Sequence, residues 1–140
     1  MLKKNNFTSE NFQQPAAAFS RATSIQLEKT KILFISGTAS VGKKRESLHS
    51  NNFEKQVKRT YQNIESLLKE SGFSFSDIVN MTVYLKDIEK FYNKFNILRD
   101  AIFEEKNIIT NPPSSTCVEA KLCRPELLVE ISTIALKEIK

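Results

Sequence analysis

The sequence predicts an α+β fold: a mixed β-sheet with two helices packed on one face. Three observations predict it. Two segments repeat apolar residues at three- and four-residue spacing, which builds one stripe along a helix. Several short runs rich in Ile, Val, Thr and Phe are bounded by Gly, Pro or polar turns, as strands are. The elements follow one another as β, β, α, β, α, β, β in a chain of 140 residues, the length of one domain.

Residues 1–14 are mostly polar, with Phe7 and Phe12 isolated, and read as a flexible N-terminal arm. Residues 15–140 then form a single domain. Phe19 to Thr23 reads as an edge strand whose alternation Ile25 and Leu27 continue. Ile32 to Ser36 is a strand buried on both faces or nearly so, ended by Gly37. Ser40 to Asn52 is a polar loop holding Gly42 and the single histidine, His49. Phe53, Val57, Tyr61, Ile64 and Leu68 mark the first helix, with Asn52 as N-cap and Gly72 as stop. Ile78 to Leu85 is a strand with Val79, Met81, Val83 and Leu85 on one face. Phe91, Phe95, Leu98 and Ile102 form the stripe of a second helix after Asp87. Asn111-Pro112-Pro113 breaks the chain, and Thr116 to Leu122 and Leu127 to Leu136 are the last strands. Helices on one face leave the other face bare. The apolar Ile131, Ile134 and Leu136 neighbourhood needs cover, which predicts self-association.

Composition narrows the function. Apolar residues at 40% and charged residues at 26% fit a soluble domain. The longest apolar run, Ile32-Leu33-Phe34-Ile35, is too short for a membrane span, so no membrane partner is expected. Met1 to Asn6 has a basic start and no apolar core behind it, which argues against a signal peptide and for the cytoplasm. The net charge of +5 is scattered among glutamates, and only Lys43-Lys44-Arg45 is compact, so nucleic-acid binding is set aside. Three separated glycines make no phosphate loop, and one histidine with Cys117 and Cys123 makes no zinc site. No metal and no cofactor are expected. A Ser-His or Cys-His system would depend wholly on His49.

Strand ends hold what is left for chemistry. Glu130 interrupts the apolar run Leu127-Leu128-Val129-Glu130-Ile131. Its plain reading is an outward-facing residue. Its functional reading is a carboxyl of raised pKa suited to proton transfer. Arg21, two residues from Phe19, shares a strand face with it and offers a planar fork to a carboxylate, unless it is a solvated edge residue. Cys117 reads first as a small core residue.

These motifs resemble the RidA/YjgF superfamily. The resemblance rests on Ile35-Ser36-Gly37, Asp77-Ile78-Val79, Thr82-Val83-Tyr84-Leu85 and Asn96. It rests also on Pro112-Pro113-Ser114-Ser115-Thr116-Cys117-Val118-Glu119 and Leu128-Val129-Glu130-Ile131. It implies a chorismate-mutase-like fold, a homotrimer with ligand clefts between subunits, and hydrolysis of enamines or imines to ammonia and a 2-oxo acid. The site residues it implies are Glu130 as the catalytic, water-positioning carboxylate, with Phe19, Ser36, Gly37, Asn96, Ser115 and Cys117 around the substrate. Phe19 keeps the family's ring without its hydroxyl. Ser115 stands where deaminating members carry an arginine for the substrate carboxylate. Losing that charged contact would cost about 1.5–3 kcal/mol, and Arg21 is the available substitute.

Phe19-Ser20-Arg21-Ala22-Thr23, Ile35 to Ser40 and Leu122-Cys123-Arg124-Pro125-Glu126-Leu127-Leu128-Val129-Glu130-Ile131 are similar to the C-terminal half of chorismatases, which release pyruvate from chorismate. The sequence therefore carries three readings of one pocket. They are an enamine/imine deaminase-type hydrolase, a chorismatase-like lyase, and a catalytically inactive metabolite-binding trimer. All three name a small carboxylate-bearing metabolite as ligand.

Overall fold

The computed structural model describes residues 1–140. Its strands are β1 (Lys3–Phe7), β2 (Ala22–Leu27), β3 (Thr30–Thr38), β4 (Ile78–Leu85), β5 (Ser114–Glu119) and β6 (Val129–Glu138). Helix α1 (Phe53–Glu70) lies between β3 and β4, and α2 (Ile88–Glu105) between β4 and β5. The six strands form one sheet in the order β1-β2-β3-β6-β4-β5. Every pair is antiparallel except β4 with β5, so the sheet is mixed. The parallel pair is joined through α2, the crossover that parallel strands require.

Local chemistry explains both helices. Asn52 caps α1, its side chain accepting from the Lys55 N–H at 3.0 Å, and Asp87 caps α2 through the Lys90 N–H at 3.0 Å. Gly72 lies just past α1 at φ +78°, a left-handed conformation that suits glycine. The α1 stripe Phe53, Val57, Tyr61, Ile64 and Leu68 is buried as the spacing predicts. In α2, Phe91 and Phe95 are buried, but Leu98 and Ile102 are only partly covered, and Phe103 enters the core instead. No helix is long and apolar enough to cross a membrane.

Four strand readings change. Residues 3–7, read as part of a loose arm, pair with β2 from Ala22 to Gln26, and Phe12 is buried in the core. Composition missed this because an edge strand can be polar on both faces when only its backbone is paired. Strand β2 begins at Ala22, leaving Phe19 and Arg21 in the segment before it. Strand β3 is not buried on both faces: Leu33 and Ile35 face the helices, while Phe34 is 42% exposed on the other side. In β4 a bulge between Ile78 and Asn80 shifts the register by one residue. Ile78 therefore turns inward and Val79 outward, which breaks the predicted Val79-Met81-Val83-Leu85 face.

A second bulge shapes the site. Ile35 pairs with Thr133 and Thr38 with Ile131, so three steps along β3 oppose two along β6. The extra residue falls at Ser36-Gly37, beside Glu130.

Candidate functional site

Alternation along β6 decides where Glu130 points. Val129, Ile131, Thr133 and Ala135 are buried against the helices, so Glu130 projects from the opposite face. Its carboxyl lies against Gly37. A Cβ added to Gly37 would stand 2.9 Å from Glu130 Cδ and 3.2 Å from each carboxylate oxygen. Only a glycine at the β3 bulge leaves room for this side chain. Partial burial pushes the Glu130 carboxyl above its ordinary pKa. It makes no ion pair within 4.0 Å.

Glu130 and Gly37 line a cavity of about 340 Å³ with Phe12, Phe19, Arg21 and Leu127. That is a volume suited to a small metabolite. Arg21 is 8% exposed. Its guanidinium lies 3.8 Å from the centre of the Phe12 ring and 5.7 Å from that of Phe19. Its Nε donates to the Gln13 carbonyl at 2.9 Å. Burial pulls the Arg21 pKa down, and the positive charges of Arg124 and Arg45 pull it further. Both of those arginines line the same cavity. The sequence placed Arg45 in a basic run and Arg124 in a motif, but no periodicity links them. Only the folded chain brings residues 45 and 124 to residue 21.

The remaining predicted residues lie elsewhere. Ser36 belongs to the bulge, where its hydroxyl donates to the Ser20 carbonyl at 2.6 Å and its N–H to the Arg21 carbonyl at 3.0 Å. It thereby holds the segment that presents Arg21. Cys117 pairs with Val83, which pairs with Ile131, so it faces the helices, opposite to Glu130. Burial pushes its thiol pKa up, as for a core thiol. Ser115 lines a separate cavity of about 190 Å³ with Tyr61, Arg99, Asp100, Phe103 and Pro113. Asn96, in α2, lines neither cavity. Arg99, one helical turn beyond Asn96, supplies a guanidinium beside Ser115 that the sequence reading did not single out; its Nε lies 3.5 Å from Asp100. His49 is exposed in the loop before α1, at φ +59°.

The predicted residues thus fall in two separate cavities, with Ser36, Asn96 and Cys117 lining neither. One holds Glu130, Gly37, Phe19 and Arg21, and the other holds Ser115 with Arg99. No group of three or more His, Cys, Asp or Glu is placed to hold a metal ion.

Comparison with known proteins gives this geometry a context. A family model described as endoribonuclease L-PSP matches residues 9–137. A RutC family protein of Saccharolobus solfataricus is 32% identical over 136 residues, covering 97% of this chain and 99% of that protein. A 2-iminobutanoate/2-iminopropanoate deaminase of Salmonella typhimurium is 29% identical over 82 residues, 59% of this chain and 62% of that one. Among solved structures, E. coli TdcF with bound serine superposes with a TM-score of 0.79 at 19% identity, covering 96% of this chain and 99% of that one. That likeness shows the fold.

Proposed function

The chain belongs to the endoribonuclease L-PSP family, within the RidA/YjgF superfamily, and from that premise we propose that it is an enzyme acting on a small, unsaturated, carboxylate-bearing metabolite. Glu130 is the catalytic carboxyl and Arg21 the carboxylate anchor. One observation carries this reading: Glu130, unpaired and poorly solvated, shares a cavity with a buried arginine whose remaining N–H groups have no protein partner. An elevated carboxyl keeps a proton closer to neutral pH, where it can pass it to or from a substrate or hold a water. Arg21 retains donors for a bidentate contact because the Gln13 carbonyl takes only Nε.

The reaction is hydrolysis of an enamine or imine. Water adds to the C=N carbon, the C–N bond breaks, and ammonia and a 2-oxo acid leave. The deaminase named among the relatives, and the serine bound to TdcF, are consistent with a small amino-acid-derived ligand. The protein works as a homotrimer in which the Ser115 cavity of one subunit closes over the Glu130 cavity of a neighbour. Arg99 on the helix beside Ser115 and Arg124 in the turn before β6 also favour a second chemistry. In it, Glu130 protonates the methylene carbon of a chorismate-like enol ether, water adds to the carbon bearing the ether oxygen, and the hemiketal breaks to pyruvate and the ring alcohol.

One assay tests both. Freshly generated 2-aminoacrylate-type imines, and separately chorismate, are incubated with the protein, and ammonia and pyruvate are followed. Acceleration that Glu130→Gln abolishes supports the enzyme. No acceleration of either substrate, with wild type equal to Glu130→Gln, would leave a binding trimer as the answer.

A further inference from the structure

We propose that the Glu130 cavity receives a dicarboxylate, with Arg21 gripping one carboxylate and Arg45 and Arg124 together gripping the other. This rests on the reading of the cavity as a carboxylate site and adds a second charge and two residues to it.

The charge balance points there. Arg21, Arg45 and Arg124 all line the cavity, and Glu130 is the one acidic residue that lines it with them. None of the three arginines makes an ion pair within 4.0 Å; the ion pairs of the chain lie on Lys58, Lys69, Arg99 and Lys106. Glu126 reaches Arg124 through the Ser47 hydroxyl, which accepts from Arg124 Nη1 at 3.0 Å and donates to Glu126 Oε1 at 2.7 Å. The positive charges are close enough to oppose one another. Arg45 is exposed and Arg124 half-buried, but Arg21 is buried, and holding two further positive charges beside a buried guanidinium is costly unless an anion joins them. With Glu130 ionised, a monocarboxylate leaves one of the three positive charges unanswered, whereas a dicarboxylate matches all three.

A purely structural role explains less. Arg21 and Arg45 do fasten the carbonyls of Gln13 and Gln14, at 2.9 Å each, but each uses only Nε. A guanidinium carries five N–H donors in a planar fork. Arg59 shows the fastening role in fuller form: its Nε and Nη2 donate to the Val41 and Asn11 carbonyls. In the cavity arginines the terminal nitrogens are left for a ligand, apart from the one Arg124 donor to Ser47. Phe12, Phe19, Ala39, Val41 and Leu127 supply apolar walls between the charges, which suits a carbon skeleton joining two carboxylates.

Calorimetric titration of the full-length protein with succinate and with butyrate isolates the second carboxylate, because the two differ only by a carboxylate for a methyl group. Succinate is expected to bind at least about tenfold more tightly. Arg45→Gln and Arg124→Gln should each weaken succinate and leave butyrate within about twofold, while Arg21→Gln weakens both. Arg45→Lys and Arg124→Lys, which keep the charge and remove the fork, guard against loss of fold and should show intermediate loss. Inorganic phosphate, a compact dianion, should bind more weakly than succinate. Equal affinity for succinate and butyrate, or tighter phosphate, would overturn the dicarboxylate while leaving chemistry at Glu130 to be judged by turnover. Failure of both carboxylates to bind would overturn the anchor role of Arg21 as well.

Discussion

Glu130 has a price that pH reveals. Its carboxyl titrates above its ordinary value of 4.5 because burial disfavours the charged form. The folded state therefore binds this proton more readily than the unfolded state. The associated stability is fully present below the unfolded pKa and is lost as pH rises through the folded one. Glu130→Gln removes the ionisation, so it is expected to melt above wild type at about pH 7–8, with the gap closing as pH falls toward about 4. Melting curves across that range check this, and a gap that widened in acid would contradict the assignment. Gly37→Ala acts on the same group through space. With Glu130 Cδ at 2.9 Å from the new Cβ, the carboxyl must swing away. We expect loss of most turnover in the imine or chorismate assay, with the overall fold kept by far-ultraviolet circular dichroism. The Glu130 and Arg21 candidates were legible in the sequence because a charge inside an apolar run, and an arginine beside an aromatic, stand out locally.

At the scale of elements, α1 is the element that ties the site loops down. Gln56 is fully buried on it. Its Nε2 donates to the carbonyls of His49 and Glu126, and its Oε1 accepts from the Leu128 N–H at 2.8 Å. One side chain thus fastens the loop before α1 to the turn that enters β6 and presents Glu130. Gln56→Leu keeps the bulk but leaves these backbone groups unpaired, and a loss of about 2–4 kcal/mol is expected in urea unfolding. Asn52→Ala removes the cap of the same helix and should cost about 1 kcal/mol by the same measurement. Helix spacing and caps are readable because they are local. The role of Gln56 is not, since its partners lie up to 72 residues away. The bulges at Ser36-Gly37 and at Val79 escape a simple alternation rule for the same reason: they are defined by the partner strand.

Over the whole molecule, the bare face of the sheet is the dominant feature. Phe34 and Leu136 are 42% and 44% exposed there, with Ile25, Ile32 and Ile134 partly covered around them. Paired residues in the registers put them on one surface: Ile25 opposite Ile32, Ile32 opposite Leu136, and Phe34 opposite Ile134. A contiguous apolar patch on a sheet face calls for a partner, and a second and third copy of this chain are the proposed ones. Light scattering at micromolar concentration should give the mass of three chains for wild type. Phe34→Lys with Ile134→Lys should give the mass of one chain and, if the proposed trimer joins the Glu130 and Ser115 cavities, lose turnover. A trimeric, active double variant would show that this face is not the interface.

The sequence by itself determined the α+β class, both helices with the caps of the first, the order of elements from β2 onward, and the identity of Glu130 and Arg21 as candidates. Each of these is written in residues a few positions apart, where spacing and side-chain chemistry act directly. Only the tertiary structure decided that Lys3–Phe7 is a strand, that Cys117 and Glu130 lie on opposite faces, and that Arg45 and Arg124 join Arg21. Those outcomes depend on strand register, bulges and loop closure, which couple residues across the chain and leave no local signature.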